Sequence, residues 1–398
     1  MVFSPADILL PKGQELTKWA VIACDQFSSE REYWERVDRM VGNAPSTLRL
    51  IVPEVYLEDV NSEDRTAGVG RVAQDYLSRG IFEEHKSCFV YTRRTLRDGR
   101  VRCGIVGALD LDCYDFTDLQ PGESKIGATE QTVPNRLPAR SKARSGSPLE
   151  APHIMALIDD PTGGCFELLA GVELPVLYDF ELMENSGRLT GYLVEGQLAD
   201  EIATAVEQAP DGIKIGDGNH SLAAAKSLWE TIKQAVPEQL RENHPARYAL
   251  AELNNVYDSA IDFHAIHRVV FDTEPERFIK GLISAASGNG SYVIKYETAG
   301  ITGQLNARNA PIGEIIDDIQ KYIDSECEKT GCTVDYIHGD ESFSELSSLP
   351  GRVGIQLPAM DKADLFRTVK QRGVFPRKSF SIGEAWDKRF YMECRKIK

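Results

Sequence analysis

One stretch of this sequence, Ile213 to Lys226, sets the strongest limits on how the surrounding chain can fold. It consists of a short apolar strand, a tight turn around Gly216 and Gly218, and a helix-forming run. Glycine reaches backbone angles, and allows close approach of other groups, that residues with side chains resist. Because Ser is a favourable N-cap and Leu-Ala-Ala-Ala favours a helix, Ser221 is predicted to cap a helix that continues to Val236.

The same turn has the chemistry of an anion-binding site. The start of a helix presents unpaired N–H groups and the positive end of the helix dipole, and both attract anions. Asp217, Asn219 and His220 add a carboxylate, an amide and an imidazole at this position. Two interpretations remain open, a ligand site or a structural Asp-Gly turn capped by Ser221.

Length and charge restrict the class of protein. A chain of 398 residues exceeds the roughly 150 residues of an average domain, which predicts two or three domains. The net charge of −16 argues against general binding to nucleic acids or anionic membranes, because both require a basic surface. The first residues lack a signal-peptide pattern and no apolar run is long enough to span a membrane, so we expect a cytoplasmic protein.

Helix and strand patterns alternate along the chain without forming an uninterrupted βαβ series. Apolar runs predict strands at Trp19–Cys24 and Leu48–Val52, and Asp98-Gly99 predicts a hairpin between two further strands. Asp361 is predicted to cap a helix that ends at Gly373. These patterns predict a mixed α/β protein.

A basic segment, Lys125 to Pro152, stands out in this acidic chain because it lacks periodicity. Its basic residues include Arg136, Arg140, Lys142 and Arg144. Long loops without secondary structure are uncommon unless they serve a function such as covering a site. The segment is therefore interpreted either as a functional loop, in which Glu130 supplies a carboxylate, or as a plain surface loop.

Familiar catalytic and metal-binding patterns are absent from the sequence. No P-loop, dinucleotide-binding, serine-hydrolase or zinc-peptidase motif occurs. The 8 cysteines are scattered without the spacing of a zinc site or a disulfide framework, and most are predicted to be buried. Cys24, at the junction of a predicted strand and a loop, is either a structural or a reactive thiol.

Several short segments carry a family resemblance. They are Val21–Gln26, Ala128–Thr132 with Arg136, Gly216–Lys226, Ile266–Arg268 and Phe375–Phe380. In this order they resemble the family catalogued as domain of unknown function 1015, over nearly the whole chain. The family is named for its unknown function, so the resemblance implies no assigned activity.

The glycine-containing turn is also similar, more distantly, to the phosphate-binding motif of the ParB and sulfiredoxin superfamily, which includes free serine kinases. Gly218, Asn219, His220 and Ser221 fall on its four core positions, and Asp217 falls on the kinase aspartate. Asn219 replaces the sulfiredoxin cysteine, which argues against sulfinic-acid repair. Ser221 replaces an arginine, so a bidentate phosphate contact is missing.

This similarity implies the organisation of the chain. A ParB/sulfiredoxin-like domain is expected at residues 1–236, with the basic loop as an insertion at 120–150. A C-terminal α+β domain at residues 237–398 is expected to complete the site.

The similarity also implies phosphoryl chemistry, as in a small-molecule, amino-acid-type kinase or a nucleotide hydrolase that uses ATP or ADP with Mg²⁺. Asp217 or Glu130 would accept a proton, and His220 would contact the phosphates. The implied binding residues are Gly216, Gly218, Asn219, Ser221, Arg268, Lys378 and Ser379, with Arg377 as a further candidate. We expect Asp217, His220 and the Lys378–Ser379 turn to line one cleft.

An alternative function is a nucleotide- or anion-binding regulatory module without catalysis. General nucleic-acid binding of the ParB kind is disfavoured, because the chain is acidic and no helix-turn-helix follows the motif. The expected ligand is therefore a small molecule or a nucleotide.

Overall fold

The computed structural model of the protein describes residues 1–28, 30–57, 59–116, 124–132, 137–376 and 378–398. Among these residues the larger sheet has 11 strands. Nine of them form a continuous path, in the order Val176–Glu181, Arg188–Val194, Phe82–Thr95, Val101–Asp110, Tyr248–Asn255, Met155–Ile158, Ile213–Asp217, Ile126–Ala128 and Tyr114–Asp115. Phe3–Ser4 and Ala6–Pro11 pair beside this path. Parallel and antiparallel pairs both occur, which confirms the predicted mixed α/β class.

A second sheet of five strands lies in the C-terminal part of the described chain. Its order is Ile301–Asn306, Val293–Thr298, Val353–Gln356, His267–Phe271 and Thr333–Ile337. Three two-stranded pairs complete the strands, namely Phe263–Ala265 with Phe380–Ile382, Val21–Ile22 with Phe390–Tyr391, and Leu149–Glu150 with Arg395–Lys396.

Helices cover both sheets. The α-helices are Leu16–Trp19, Arg31–Val41, Ser62–Ser78, Leu137–Gly146, Gly164–Glu167, Gly196–Glu207, Asn219–Lys233, Glu238–Arg241, Pro275–Ala286, Ile312–Thr330, Asp340–Ser347 and Lys362–Arg372. Short 3₁₀ helices occur at Thr47–Arg49, Glu54–Tyr56, Leu111–Cys113, Met183–Asn185, Pro245–Arg247 and Ala385–Asp387. No helix in the described part of the chain combines the length and apolar character needed to cross a bilayer.

The two sheets share apolar packing. In helix Ile312–Thr330, isoleucines at helical spacing are buried against the smaller sheet. These residues are Ile315, Ile316, Ile319 and Ile323. Met155 and Leu157 from the larger sheet belong to the same buried cluster. The smaller sheet therefore packs against the part of the larger sheet that contains the neighbouring strands Met155–Ile158 and Ile213–Asp217.

Of the two strands predicted near the N-terminus, one is wrong and the other is shorter than predicted. Leu48–Val52 is occupied by the 3₁₀ helix Thr47–Arg49, because the Ser46 hydroxyl caps it by accepting the N–H of Leu48 at 3.1 Å. Within Trp19–Cys24 the strand is limited to Val21–Ile22. The apolar character of both runs predicted strands. At Leu48–Val52 the hydrogen bond from Leu48 to the Ser46 side chain favours a 3₁₀ helix instead.

The basic segment was predicted to lack regular structure, and that prediction is also wrong. It contains the strand Ile126–Ala128, which pairs in parallel with Ile213–Asp217, and the helix Leu137–Gly146, which carries Arg140. The strand forms because its residues are buried and pair with Ile213, Lys214 and Ile215 of the neighbouring strand. Arg136 lies outside the described residues.

The C-terminal residues cross back over the N-terminal part of the protein. Two short strands there, Phe390–Tyr391 and Arg395–Lys396, pair with Val21–Ile22 and Leu149–Glu150 respectively. The predicted division between residues 236 and 237 stays a prediction. The strand Tyr248–Asn255, which follows that point, pairs inside the larger sheet.

Candidate functional site

A cleft of about 1340 Å³ opens at the N-terminal end of helix Asn219–Lys233. Its walls come from the turn after Val21–Ile22, the strand-to-helix turn at 216–221, the smaller sheet and the C-terminal segment. Its charged and histidine residues include Asp25, Glu54, Glu130, Arg140, His153, Asp217, His220, His264, His267, Lys295, His338, Lys378 and Lys388. The cleft is therefore polar and large enough for a ligand of nucleotide size.

The turn at the start of the helix is shaped by Gly218. Its backbone is left-handed, with φ 81° and ψ 19°, and a Cβ atom there would lie 3.1 Å from the Cα of Ile154. The Asp217 carboxylate accepts the Gly218 N–H through Oδ1 at 2.8 Å. The helix begins at Asn219, so the prediction of Ser221 as its N-cap is wrong. The left-handed turn at Gly218 starts the helix earlier and places Ser221 in its first turn.

The N-cap residue of this helix, Gly218, has no side chain that could accept a hydrogen bond from the first turn. Gly216, Asn219, His220 and Ser221 all line the cleft, so the first turn of the helix faces the cavity. The Asn219 amide donates to the carbonyl of Ile215 at 3.3 Å and is thereby held against the preceding strand. The arrangement can bind an anion through backbone N–H groups and the helix dipole.

Lys388 brings a positive charge to this turn. Its Nζ lies 3.3 Å from Oδ2 of Asp217, and its side chain is buried. Arg94 donates to the carbonyls of Trp386 and Lys388, and Arg102 donates to the carbonyl of Asp387 at 2.7 Å. Because both arginines are buried, they hold this part of the C-terminal segment in place. A lone lysine far from any motif carries no sequence signal, and Lys388 was not predicted.

Glu130 joins the turn at Lys378 and Ser379 to the rest of the cleft. Its Oε2 accepts the N–H of Lys378 at 3.2 Å, and its Oε1 accepts the N–H of Ser379 at 3.1 Å. Burial raises the pKa of Glu130, although these hydrogen bonds oppose the rise. The Ser379 hydroxyl donates to the carbonyl of Pro376 at 2.6 Å, so it serves the turn itself. Arg377 lies outside the described residues.

The structure places Asp217, His220 and Lys378 in the lining of one cleft, with Glu130 beside them, whereas Ser379 is buried behind that lining. It does not bring Arg268 there. That side chain is buried, donates to the carbonyl of Ile266 and lies 5.3 Å from the ring centre of Tyr336. Burial lowers the pKa of its guanidinium to about 10.

A second group of polar residues was missed by sequence reasoning. Asp25 and His153 line the cleft, and Arg140 lies beside them in an ion pair with Glu54 at 2.5 Å. Asp25, Glu54, Arg140 and His153 lie in four separate segments, so no local spacing connected them. Asp25 is part of the family segment Val21–Gln26, which was the available signal.

The surroundings of His338 and the arrangement of possible metal ligands limit the chemistry of the cleft. Desolvation, together with the charges of Lys378 and Lys388, lowers the pKa of His338 to about 4, so this ring is neutral near pH 7. Among the residues that the structure describes, no group of three or more His, Cys, Asp or Glu side chains is arranged to hold a metal ion. A Mg²⁺ ion in this cleft would therefore need ligands from a bound phosphate and from water.

Cys24 is expected to resist alkylation in the native protein. Burial raises the pKa of its thiol to about 12, which keeps it protonated and a poor nucleophile. Mass spectrometry after iodoacetamide treatment at about pH 8 should find Cys24 modified in urea and unmodified in the native state. Equal modification in both states would contradict this and support a reactive thiol.

The protein therefore belongs to the mixed α/β class and has a polar cleft at the N-terminal end of a helix. The chain belongs to the family described as "Protein of unknown function (DUF1015)", whose model matches residues 5–330. No protein with a curated description matches this chain in sequence.

The solved structures to which this chain is similar have low sequence identity to it. A conserved hypothetical protein from Pyrococcus furiosus is 12% identical over 73% of this chain and 94% of its own, with a TM-score of 0.37. C-terminally truncated SbnI from Staphylococcus aureus is 9% identical over 70% and 82%, with a TM-score of 0.38. A free serine kinase mutant in complex with ADP is 12% identical over 75% and 93%, with a TM-score of 0.41.

Proposed function

We propose that this protein is a nucleotide-dependent phosphotransferase that moves the γ-phosphoryl group of ATP to a hydroxyl group of a small molecule. The observation that carries the proposal is the helix start at the left-handed Gly218, which faces a large cleft with Lys388 and Lys378 in its lining. Phosphoryl transfer depends chiefly on positioning and on neutralising negative charge, and this arrangement offers both.

In this proposal the phosphates bind at the first turn of helix Asn219–Lys233. Backbone N–H groups and the side chains of His220 and Ser221 contact phosphate oxygens, and Lys388 neutralises their charge. Ser221 stands where the superfamily motif has an arginine. Lys388, which arrives from the C-terminal segment, supplies a positive charge beside Asp217 at the same turn.

Asp217 and Glu130 remain candidates for accepting the proton of the acceptor hydroxyl. Both have their oxygens engaged, Asp217 by Gly218 and Lys388 and Glu130 by two backbone N–H groups. Asp217 also holds Lys388 beside the phosphate position, and Glu130 holds the Lys378 turn. A Mg²⁺ ion brought by the nucleotide would supply charge neutralisation at the phosphates.

The same engaged carboxylates favour a second candidate function, a nucleotide-binding regulatory module without catalysis. If neither carboxylate is free to accept a proton, the cleft binds the phosphates of a nucleotide but does not catalyse phosphoryl transfer. Both functions predict nucleotide binding, and only the phosphotransferase predicts that ADP is formed from ATP.

Thermal denaturation with ATP, ADP, AMP and inorganic phosphate, each with and without Mg²⁺, tests binding. We expect the midpoint to rise with ATP and ADP, since a ligand at about a hundred times its Kd stabilises the native state by about 2.7 kcal/mol. Chromatographic detection of ADP formed from ATP, with small hydroxylated compounds as acceptors, then separates the two functions. No stabilisation by any of the nucleotides would overturn the proposal, and stabilisation without ADP formation would favour the regulatory module.

A further inference from the structure

Asp25, His153 and Tyr391 form a connected polar group at the wall of the cleft. The Tyr391 hydroxyl lies 2.8 Å from Nδ1 of His153, and Nε2 of His153 lies 4.0 Å from Oδ1 of Asp25. His153 and Tyr391 are buried, whereas 26% of the Asp25 side chain is exposed. The group therefore runs from the protein interior to a carboxylate that a ligand in the cleft can reach.

The hydrogen bonds decide which nitrogen of His153 carries the proton. The Tyr391 oxygen accepts the backbone N–H of Cys24 at 3.2 Å, which leaves its own proton to be donated to Nδ1 of His153. Nε2, the nitrogen that faces Asp25, carries a proton both in the charged ring and in the neutral tautomer to which Tyr391 donates. His153 thus presents an N–H to the carboxylate, and Arg389 supports the same segment by donating to the carbonyl of Pro152.

Asp25 differs from the other two carboxylates near the helix start. Its hydrogen bond from the Gln26 amide, at 3.2 Å, and its approach to His153 both use Oδ1. Asp217 and Glu130 each have both oxygens in contact with donors. Of these three carboxylates, Asp25 is therefore the one whose second oxygen is best placed to accept a proton from a ligand.

The charges around Asp25 keep it ionised. Burial alone would raise the pKa of this carboxyl, but His153, Arg140, the Gln26 hydrogen bond and Lys388 together lower it below its ordinary value. Lys388 also pairs with Asp217, so Asp25 lies near the proposed phosphate position. Cys24 and Glu54 are the other titratable groups close by.

We propose that Asp25 is the residue that accepts the proton of the acceptor hydroxyl, and that His153 and Tyr391 are positioning residues for its carboxylate. This inference rests on the proposed function. The hydroxyl oxygen forms a bond to the γ-phosphorus of ATP while the bond from that phosphorus to the β–γ bridging oxygen breaks. ADP leaves with the electron pair of the broken bond, and the hydroxyl proton passes to Asp25.

The test measures phosphate release and transfer from ATP with Mg²⁺, together with ADP affinity, in matched variants. Asp25→Asn keeps the shape but removes the base, so kcat should fall by about a hundredfold or more while ADP affinity stays within about twofold. Asp25→Glu should recover part of kcat. His153→Gln and Tyr391→Phe should lower kcat by about tenfold with KM for ATP unchanged, because they disturb orientation and not nucleotide binding.

Three further variants serve as comparisons. Asp98→Asn changes an exposed hairpin carboxylate and should leave kcat unaltered. Asp217→Asn and Glu130→Gln should keep measurable turnover, because neither is the base in this proposal. Thermal denaturation of every variant separates loss of fold from loss of chemistry.

The outcomes distinguish this inference from the function on which it rests. An active parent with an equally active Asp25→Asn variant would overturn the inference alone. Loss of turnover with intact ADP affinity in Asp217→Asn, but not in Asp25→Asn, would assign the base to Asp217 instead. A parent without phosphate release or transfer from ATP would overturn the phosphotransferase function, and this inference with it.

Discussion

Gly218→Val should abolish nucleotide binding. A β-branched side chain resists the left-handed backbone at φ 81°, and its Cβ would approach Ile154 to 3.1 Å. Either the turn unwinds or the helix start rotates, and in both cases the N–H groups of the first turn no longer converge on the phosphates. ATP should cease to raise the denaturation midpoint, and Kd measured by calorimetry should rise by about a hundredfold or more.

A matched variant separates this effect from general backbone strain. Gly331 is also left-handed, with φ 77°, and it ends helix Ile312–Thr330 away from the cleft. A Cβ atom added at Gly331 would have no neighbouring atom of the described residues within 4 Å. Gly331→Val should therefore lose a similar amount of stability while keeping ATP affinity. Gly218→Asn should fall between the parent and Gly218→Val, because Asn tolerates this conformation better than Val. ATP binding by Gly218→Val with parental affinity would show that the turn is structural.

Lys388→Met should weaken ATP binding by about tenfold to hundredfold, since hydrogen bonds to a charged group contribute about 1.5–3 kcal/mol. Methionine keeps much of the length and apolar contact of the lysine stem but removes its charge. The loss should be larger for ATP than for AMP, because ATP carries more negative charge near the helix start. Calorimetric titration with ATP, ADP and AMP measures this series.

Lys388→Met also removes the lysine that pairs with Asp217, so the free energy of unfolding must be measured alongside ATP affinity. Breaking a buried ion pair on one side is costly, and Asp217→Asn combined with Lys388→Met should recover stability without recovering ATP affinity. Lys370→Met removes an exposed lysine that pairs with Asp211 outside the cleft, and it should change neither property. Parental ATP affinity in Lys388→Met would exclude Lys388 from the phosphate site.

Elements whose signals lie within a few residues were predictable. The Asp361 carboxylate accepts the N–H of Ala363 at 2.9 Å and starts helix Lys362–Arg372, which ends at Gly373 as predicted. The hairpin at Asp98-Gly99 joins two long strands, and Gly99 has φ 86°. Capping and turn chemistry are local interactions, so residue types at fixed spacing are sufficient to specify them.

The strand-to-helix turn was also visible in the sequence, but its details were not. The glycine pattern predicted a sharp turn before a helix, and the structure has both. The choice between Gly218 and Ser221 as N-cap depended on the left-handed backbone at Gly218, next to Ile154 of another segment. Contacts of that kind are invisible to local spacing.

The amino-acid sequence thus established the mixed α/β class, the family and the turn at which the candidate site is built. Tertiary packing placed Lys388, Asp25 and His153 around that turn and buried Arg268 away from the cleft. These placements follow from strand pairing between distant segments, such as Phe390–Tyr391 with Val21–Ile22, which brings the C-terminal lysine to the N-terminal wall. A charged side chain acquires its role from the groups that burial forces it to contact, and those groups are set by the whole fold.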